Sequence, residues 1–370
     1  MMQRLYVHNY KCFENFELKL GDTPSALLIG KNGSGKSSVA AALGLLQAIG
    51  RGVNRVGQLV AVKDFSCGRV SVPMRFEVTV LLSGDQYTYS LALELPDKFK
   101  ELRVLQESLE VSGKLVYARD HAQVTLPVNS PHRDAAQFLV DWHLIALPVI
   151  QKQSETDPLH VFKTWLARMV ILAPIPRLMF GNSSVETLEP VANGANLADW
   201  LSGLLGQFPA AYSSINDYLR SVMPDIKELR NEPSGKDSKR MLVQFATETA
   251  KLSLSFDDLS DGEKCFFLWA VVLAANKAYG PLFCFWDEPD NFLSLSEVGQ
   301  FVLQLRRAFN TGGQILVTSH NEEAIRKFSG DNTWVMDRKS HLEPTLIRLL
   351  ADLPRPADLI GALICGDVTL

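Results

Sequence analysis

One short stretch, Gly30 to Ser37, constrains the fold of this chain more than any other feature. It reads Gly-Lys-Asn-Gly-Ser-Gly-Lys-Ser, the G-x-x-x-x-G-K-S pattern of a phosphate-binding loop in nucleotide hydrolases. The apolar run Ala26 to Ile29 precedes it and is typical of a buried parallel strand. The segment Ser38 to Ile49 follows with helical spacing, many Ala and Leu residues and no proline. Strand, glycine loop and helix in this order predict an α/β nucleotide-binding core.

The chemistry of this loop follows from its backbone and from two side chains. Its N–H groups and the positive end of the following helix are expected to lie where phosphate oxygens bind. Lys36 is expected to reach the β- and γ-phosphates, and the Ser37 hydroxyl to bind Mg²⁺. A glycine-rich turn that merely starts a helix is the alternative, and Lys36 and Ser37 in register argue against it. The predicted nucleotide-binding residues of this stretch are Gly30, Asn32, Gly33, Ser34, Gly35, Lys36, Ser37 and Ser38.

Composition narrows the class of protein. The chain has 370 residues and a formal net charge of −4, which argues against a surface that coats nucleic acid but allows a local basic patch. Its five cysteines show no C-x-x-C pair, so a reducing compartment is expected. The N-terminus does not resemble a signal peptide, and the longest apolar run, 265–275, is too short to cross a bilayer. We therefore expect a cytosolic (cytoplasmic) protein without membrane contact.

Residues 1–130 are rich in strand patterns. Residues 3–20 predict two strands joined near Asn9 to Glu14, and residues 51–72 predict a loop. Four further runs with short turns between them predict an antiparallel meander: Met74 to Leu82, Tyr87 to Leu95, Val104 to Val111 and Leu115 to Tyr117. The first predicted domain, 1–130, thus combines the phosphate loop with this meander.

From about His132 the pattern becomes helical, which predicts a helical lobe over 131–240. An exposed turn is expected at Asn231 to Lys239, with strands at Met241 to Ala246 and Leu252 to Phe256. No segment sustains a heptad repeat, so no long coiled coil is expected. The predicted helices are Ala135 to Ile150, Leu159 to Leu172, Leu197 to Leu205 and Tyr212 to Val222.

The third predicted domain, 241–370, contains a distinctive sequence motif at the start of a predicted helix. Leu259-Ser260-Asp261-Gly262-Glu263 precedes the apolar helix Lys264 to Ala278. On its own, Ser260 followed three positions later by Glu263 is a capping box. The same residues also spell L-S-x-G-E, a signature that gains meaning from the phosphate loop upstream.

Two adjacent acids follow the apolar run Leu282 to Trp286, which predicts a buried parallel strand. The carboxyl ends of such strands carry the ligand sites of α/β folds. Asp287 is expected to bind Mg²⁺, directly or through water. Glu288 is expected to orient or deprotonate the attacking water. The bland alternative is that both acids merely cap the helix expected near Ser294.

A second buried strand, Gln314 to Ser319, ends at His320. A histidine at this place is usually a satisfied structural residue. Next to a phosphate loop and a pair of acids, we expect His320 to contact the γ-phosphate as a hydrogen-bond donor or proton relay.

In this order, the phosphate loop, L-S-x-G-E, D-E-P and T-S-H resemble the motifs of ATP-binding-cassette (ABC) ATPases, specifically of the SMC/RecF/OLD branch, where OLD denotes the overcoming-lysogenization-defect proteins. The text from Asp287 to Leu293 is similar to the D-E-P-x-N-x-L segment of OLD-like ATPases, many of them linked to phage defence. Asn9 to Phe13 resembles the N-[FY]-[RK]-x-[FL] opening of that branch.

The resemblance departs from the family pattern at two places. The familiar L-H-P is Leu293-Ser294-Leu295 in this chain, so the role of that histidine is missing. No TOPRIM nuclease pattern follows His320, so a nuclease is expected to be a separate protein.

What the resemblance implies is an ABC-type ATPase head with a mixed sheet, an antiparallel meander and an inserted helical lobe. ATP and Mg²⁺ are the implied cofactors, and Lys36, Glu288 and His320 the implied catalytic residues. Two copies would face each other head to tail, forming a homodimer or a higher oligomer. Ser260 and Gly262 of one copy would then contact the ATP bound by the other. Lys11, the basic residue of the opening motif, would approach the nucleotide.

The resemblance leaves the choice of phosphate-sensing glutamine open, with Gln58, Gln86, Gln106 and Gln123 as candidates. It also leaves alternatives for function. The first is an antiphage ATPase that acts with a separately encoded effector such as a nuclease. The second is a RecF-like repair ATPase that binds DNA, for which a basic cluster over 227–240 is available. A transporter motor is disfavoured, because such motors are more compact between phosphate loop and signature. The apolar segment Leu353 to Leu370 could be a docking surface for a partner, and a final core helix is the favoured alternative.

Overall fold

The computed structural model describes residues 1–127, 135–151 and 154–353. The chain forms two compact units. Unit 1 contains Met1–Met169 and the chain from Phe328 onward, and unit 2 contains Val170–Lys327.

The regular elements are numbered in chain order. Up to residue 169 they are β1 (Met2–His8), β2 (Phe16–Lys19), β3 (Ser25–Gly30), α1 (Lys36–Gly50), α2 (Val56–Leu59), β4 (Met74–Leu82), β5 (Asp85–Glu94), β6 (Arg103–Val111), β7 (Lys114–Asp120), β8 (Gln123–Leu126), β9 (Ala136–Leu139) and α3 (Pro158–Arg168). In unit 2 they are β10 (Val170–Leu172), β11 (Asn182–Ser183), α4 (Leu197–Gln207), α5 (Ala211–Val222), β12 (Ile226–Pro233), β13 (Lys239–Ala246), β14 (Lys251–Ser255), α6 (Asp261–Tyr279), β15 (Phe283–Trp286), α7 (Leu295–Asn310), β16 (Gln314–Thr318) and α8 (Glu322–Arg326). Unit 1 then continues with β17 (Thr333–Asp337) and β18 (Leu346–Leu349).

The larger sheet of unit 1 is antiparallel, with the strand order β2-β1-β4-β5-β6-β7-β8-β9. Side chains on β4 alternate, so that Met74, Phe76, Val78 and Val80 are fully buried while the residues between them face outward. This alternation is the pattern from which the meander was predicted, and the meander is confirmed. The first two strands of the chain extend the same sheet, because β1 pairs with β4.

The strand before the phosphate loop lies in a second sheet of unit 1. β3 pairs in parallel with β17, which pairs antiparallel with β18. Ala26, Leu27 and Leu28 on β3 are fully buried, as expected for a strand covered on both faces.

Unit 2 contains a parallel arrangement of β10, β15 and β16. All four residues of β15 are buried. The ring of Trp286 lies 5.3 Å from that of Trp269 on α6, and Phe301 on α7 packs edge-on against both. This aromatic core fixes the strand whose carboxyl end carries the two acids. A separate antiparallel sheet has the order β11-β13-β12, with β14 also paired to β13.

One predicted helix is wrong. Ala135 to Ile150 contains strand β9 followed by irregular backbone. Its backbone groups are satisfied from the meander: Arg119 donates to the carbonyl oxygen of Asp141 at 2.9 Å, and the Glu107 carboxylate accepts from the amides of Ala146 and Leu147. Tertiary hydrogen bonds from buried side chains therefore override the helical spacing.

Two other boundaries also differ from the prediction. The helix expected over Leu159 to Leu172 ends at Arg168, because Val170–Leu172 pairs as β10 with β15. The turn expected over Asn231 to Lys239 is shorter, since β12 runs to Pro233 and β13 starts at Lys239. The helices predicted at Leu197 to Leu205 and Tyr212 to Val222 are confirmed as α4 and α5.

The longest helix of the described residues is α6, with 19 residues, so the described residues contain no coiled-coil arm, as predicted. None of the helices in the described ranges combines the length and the apolar character that crossing a bilayer requires. The division into 1–130, 131–240 and 241–370 stays a prediction. Beyond Leu353, the segment considered as a docking surface lies outside the described residues.

Candidate functional site

The phosphate-binding loop of unit 1 connects the end of β3 to the start of α1. Gly33 and Gly35 have φ values of +80° and +107°, which glycine adopts without strain. Gly30 allows a close approach of the backbone, because a Cβ there would lie 2.3 Å from the Met336 carbonyl oxygen. The three glycines of the motif are therefore required by the shape of the loop.

Lys36, the first residue of α1, curls back over the loop. Its Nζ donates to the Gly30 carbonyl oxygen at 2.8 Å, and the residue is only 7% exposed. The first turn of α1 contains no acidic residue, and no side chain caps its amides. These amides form the positive end of a helix that is open to an anion. Ser37 is exposed on the same turn, and Ser38 follows it with its amide bonded to the Gly35 carbonyl oxygen at 2.9 Å.

The donor set of this loop fits a phosphate group. The Ser34 hydroxyl oxygen is buried and has no hydrogen-bond partner within the described residues. An unpaired buried hydroxyl is costly unless a ligand satisfies it. Together with the helix amides and the Lys36 ammonium, Ser34 supplies the kind of groups that bind phosphate oxygens.

The loop is held by Thr345, which the sequence did not single out, and by two residues of the opening motif. Thr345 is 2% exposed; its hydroxyl donates to the Ser34 carbonyl oxygen at 2.8 Å, and its amide donates to the Cys12 carbonyl oxygen at 2.9 Å. Cys12 and Phe13 also lie so close to Gly35 that a Cβ there would be 2.8 Å from the Cys12 sulfur. The opening motif therefore packs directly against the phosphate loop. No local sequence pattern around Thr345 predicts this role.

Lys11 lies in the bend between β1 and β2 with φ +52°. Its ammonium is 3.2 Å from the Asp64 carboxylate, and its amide donates to the Asp64 carbonyl oxygen at 2.6 Å. Lys11 is thus paired within unit 1, and the nucleotide contact implied by the resemblance stays a prediction.

In unit 2, Asp287 and Glu288 follow directly after β15. The Thr318 hydroxyl at the end of β16 donates to Asp287 Oδ1 at 2.5 Å and accepts from the Glu288 amide at 2.9 Å. Glu288 has φ +48°, an uncommon conformation for a residue with a Cβ. Thr318 therefore fixes both acids at the turn, and nothing in the sequence assigned it that task.

The Glu288 carboxylate lies between two polar side chains. His320 Nε2 is 3.4 Å from Glu288 Oε1, and the side-chain Nδ2 of Asn291 donates to Glu288 Oε2 at 2.5 Å. His320 is exposed and Glu288 is half-buried, so both are accessible to a ligand. The structure brings the predicted base and the predicted γ-phosphate contact together, and adds Asn291 to them.

Beside these groups lies a buried acid. Asp290 is 5% exposed, its Oδ2 accepts from the Ser319 hydroxyl at 2.8 Å, and its Oδ1 has no partner in the described part of the chain. Burial is the main cause that raises the pKa of Asp290 above its usual value, and the Ser319 hydrogen bond opposes this shift.

The L-S-x-G-E text begins α6 as predicted. Ser260 and Glu263 form the capping box: the Ser260 amide donates to the Glu263 carboxylate at 2.8 Å, and the Glu263 amide donates to the Ser260 hydroxyl at 3.3 Å. Gly262 faces the chain after the two acids, since a Cβ there would lie 2.8 Å from the Phe292 carbonyl oxygen. The signature therefore starts a helix whose exposed end adjoins the D-E-P-D-N segment within unit 2.

Each group expected to bind Mg²⁺ is of the right chemical type. Ser37 offers a hydroxyl in unit 1, and Asp287 offers a carboxylate in unit 2. Mg²⁺ prefers oxygen ligands and takes few of them from the protein, keeping water and phosphate for the rest. The four candidate glutamines all lie on exposed positions of α2, β5, β6 and β8, so the choice among them stays open.

Comparisons with known proteins find two matching family models. A family model described as an AAA ATPase domain matches residues 1–63, and one described as "AAA domain, putative AbiEii toxin, Type IV TA system" matches residues 177–326. No curated protein matches the chain.

Among solved structures, an SMC head bound to the C-winged helix domain of ScpA is similar, with a TM-score of 0.57 and 14% identity over 94% of this chain and 98% of that chain. An SMC head domain with an extended coiled coil, bound to the C-terminal domain of ScpA derived from Pyrococcus furiosus, has a TM-score of 0.55 and 12% identity over 95% of this chain and 96% of that chain.

The SMC-head fold and the two AAA matches confirm the predicted resemblance to an ABC-type ATPase of the SMC/RecF kind. The features that point to the OLD-like proteins stay a prediction.

Proposed function

We propose that this chain, an ATPase of the SMC-head type, is a Mg²⁺-dependent switch that binds ATP between two copies of itself and hydrolyses it. The observation that carries this proposal is the phosphate loop of unit 1, with its glycine geometry, its curled Lys36 and the unpaired hydroxyl of Ser34. The pairing of Glu288 with His320 in unit 2 supports it further.

Each residue has a distinct task in the proposed reaction. Lys36 and the amides of α1 bind the phosphates, while Ser37 and Asp287 hold Mg²⁺, which when bound offsets the negative charge of the phosphates. Glu288 accepts a proton from the attacking water, and His320 donates a hydrogen bond to the γ-phosphate. Thr318 and Asn291 hold the carboxylates of Asp287 and Glu288 in place.

A second copy would complete the site. Ser260 is exposed at the start of α6, and a hydroxyl together with helix N-terminal amides is a donor set of the kind that binds a phosphate oxygen. Binding of ATP by both copies then stabilises the dimer, and hydrolysis releases it. The two sites are equivalent if the dimer has two-fold symmetry.

The proposed biological role is that of the ATPase component in an antiphage system with a separate effector such as a nuclease. The D-E-P-D-N-x-L text supports this role, and so does the second family model, whose description names a putative AbiEii toxin of a Type IV TA system.

The DNA-binding alternative has less support. In the basic cluster over 227–240, Arg230 is paired with Glu228 and Glu232, and Lys239 is paired with Glu186. This pairing lowers the positive charge available to phosphates. Salt-dependent binding of DNA by the chain alone would favour the alternative, whereas toxicity that requires co-expression of a neighbouring gene product would favour the defence role.

A direct test compares the wild type with Lys36→Ala and Glu288→Gln. We expect the wild type to release phosphate from ATP only with Mg²⁺, Lys36→Ala to lose ATP binding, and Glu288→Gln to bind ATP and accumulate as a dimer in light scattering. Hydrolysis by Glu288→Gln at the wild-type rate would rule out the proposed base. If the molecular mass of Glu288→Gln does not change when ATP is added, the proposed ATP-dependent dimerisation is ruled out.

A further inference from the structure

Three consecutive residues, the last residue of β16 and the two that follow it, each contact one of the acids after β15. The Thr318 hydroxyl donates to Asp287, the Ser319 hydroxyl donates to Asp290 at 2.8 Å, and His320 Nε2 lies 3.4 Å from Glu288. The first and third contacts involve residues already placed in the proposed reaction. The middle contact, between Ser319 and Asp290, has no role in that scheme.

This middle contact is the most deeply buried of the three. Ser319 is 2% exposed and Asp290 is 5% exposed, and Asp290 Oδ1 has no partner within the described residues. A carboxyl group that is buried with one oxygen unpaired opposes folding. Departures of this kind from good packing chemistry are concentrated at functional sites. The side-chain partner of Asp290 is Ser319, and this neighbour offers a route by which Asp290 can contribute to the reaction.

The neighbour is the short segment that carries His320. The Ser319 hydroxyl donates to Asp290 and accepts from the Asn321 amide at 2.9 Å, so it links the residue before His320 to the residue after it. Asn321 in turn caps α8, since its side chain accepts from the Glu323 amide at 2.9 Å. The Ser319 hydroxyl therefore fixes the backbone conformation at His320, whose side chain is exposed. Asp290 in turn orients the Ser319 hydroxyl.

We propose that Asp290 is a positioning residue for ATP hydrolysis: through Ser319 it holds His320 against Glu288. The proposal rests on the proposed ATPase function. It assigns to the third acid of the D-E-P-D motif, Asp290, a task different from that of the first two, namely to align the γ-phosphate contact with the base.

The test measures phosphate release and equilibrium ATP binding for full-length variants. We expect Asp290→Ala to lower kcat about tenfold or more while the dissociation constant for ATP changes less than about threefold. Asp290→Asn keeps an oxygen that accepts from Ser319, so it is expected to retain most of the activity. Ser319→Ala is expected to behave like Asp290→Ala, and it serves if that variant does not fold.

A double-mutant cycle decides whether Asp290 acts through His320. If it does, adding Asp290→Ala to a His320→Ala background should lower kcat no further. Asp199→Ala is the matched control, because Asp199 accepts from the amides of Ser184 and Val185 elsewhere in unit 2. This control should lower the melting temperature and leave kcat unchanged.

Each outcome has a definite meaning. Wild-type kcat in both Asp290→Ala and Ser319→Ala would overturn the proposal, and so would an equal loss of kcat in the presence and absence of His320. A wild type that turns over ATP no faster than Lys36→Ala would overturn the proposed function and this inference together. Turnover by the wild type that depends on Lys36 but not on Asp290 would overturn the inference alone.

Discussion

Thr345 donates its hydroxyl hydrogen to the carbonyl oxygen of Ser34 at 2.8 Å, although the two residues are 311 positions apart in the chain. The phosphate-binding loop is therefore held by a residue beyond every recognised motif. Because the Thr345 amide also bonds to Cys12, the same residue ties the opening motif to the loop. The conformation that binds phosphate thus depends on contacts from both ends of unit 1.

This relationship predicts the effect of Thr345→Val, which keeps the shape and burial of the side chain but removes the hydroxyl. A lost buried hydrogen bond costs about 1 kcal/mol, so we expect ATP affinity to fall about fivefold if the loss is expressed in the loop. Titration with a fluorescent ATP analogue in the presence of Mg²⁺ measures this affinity. Thr345→Ser keeps the donor and is the control. Equal ATP affinity in Thr345→Val and wild type would show that the bond does not shape the site.

The two possible tasks of Ser260, capping α6 and binding ATP across a dimer, can be separated by substitution. Asparagine is a good N-cap but lacks the hydroxyl, so Ser260→Asn should keep the stability of the protein within about 0.5 kcal/mol. Ser260→Ala should lose about 1 kcal/mol.

If the Ser260 hydroxyl also binds ATP, a protein with Ser260→Asn should dimerise with ATP at least about tenfold more weakly than the same protein with Ser260. The Glu288→Gln background, in which hydrolysis is expected to be blocked, is suited to this measurement by light scattering. If Ser260→Asn does not affect dimerisation, Ser260 acts as a helix cap and does not bind ATP across the dimer.

The parts of the fold that could be predicted are those in which local sequence determines the conformation. The loop Gly30 to Ser37 needs glycine at particular places, and the strand before Asp287 is apolar on both faces because it is buried on both. The positions of Glu288 and His320 at strand ends followed from the same reasoning, and their contact in unit 2 agrees with it.

The parts that could not be predicted depend on residues far apart in sequence. Ala135 to Ile150 has the spacing of a helix, but buried side chains from the meander bond its backbone. Thr318 belongs to the T-S-H motif but its contacts were not predicted, and Thr345 belongs to no recognised motif; only the fold brings one to Asp287 and the other to Ser34. Periodicity and motifs report the neighbours along the chain, whereas these bonds depend on neighbours in space.

Burial of two cysteines predicts a selective pattern of thiol labelling. Burial, and to a lesser degree the charge of Asp261, raises the pKa of Cys265 to about 12, and burial also raises the pKa of Cys284. The thiolate is the reactive form, so both should resist a maleimide in the native state. Cys67 is exposed and should react first.

A Cys365→Ser variant restricts the assay to Cys12, Cys67, Cys265 and Cys284. Raising the pH from about 7 to about 9 should leave Cys265 unlabelled, because both values lie well below its pKa. Mass spectrometry of peptides after labelling measures each site, with protein in denaturant as the positive control. Labelling of native Cys265 or Cys284 at the rate of Cys67 would contradict the structure.

The Glu107 carboxylate gives the sharpest prediction about stability. It accepts from the hydroxyls of Tyr89 and Tyr117 and from the amides of Ala146 and Leu147, and it is 1% exposed. Burial is the main cause that raises the pKa of both tyrosines, followed by the nearby charge of Glu107, so the tyrosines stay neutral donors.

Glu107→Ala should therefore lower the free energy of unfolding by about 3–5 kcal/mol, because it leaves several buried donors without an acceptor and removes the carboxylate 3.8 Å from the buried Arg119 guanidinium. Glu107→Gln keeps one acceptor oxygen and should cost less, since fewer donors lose their partner. Denaturant melts of both variants and the wild type measure the difference. Hydrogen exchange at Ala146 and Leu147 should become faster in Glu107→Ala and stay slow in Glu110→Ala, a control at an exposed position, because it is the Glu107 carboxylate that accepts from those two amides.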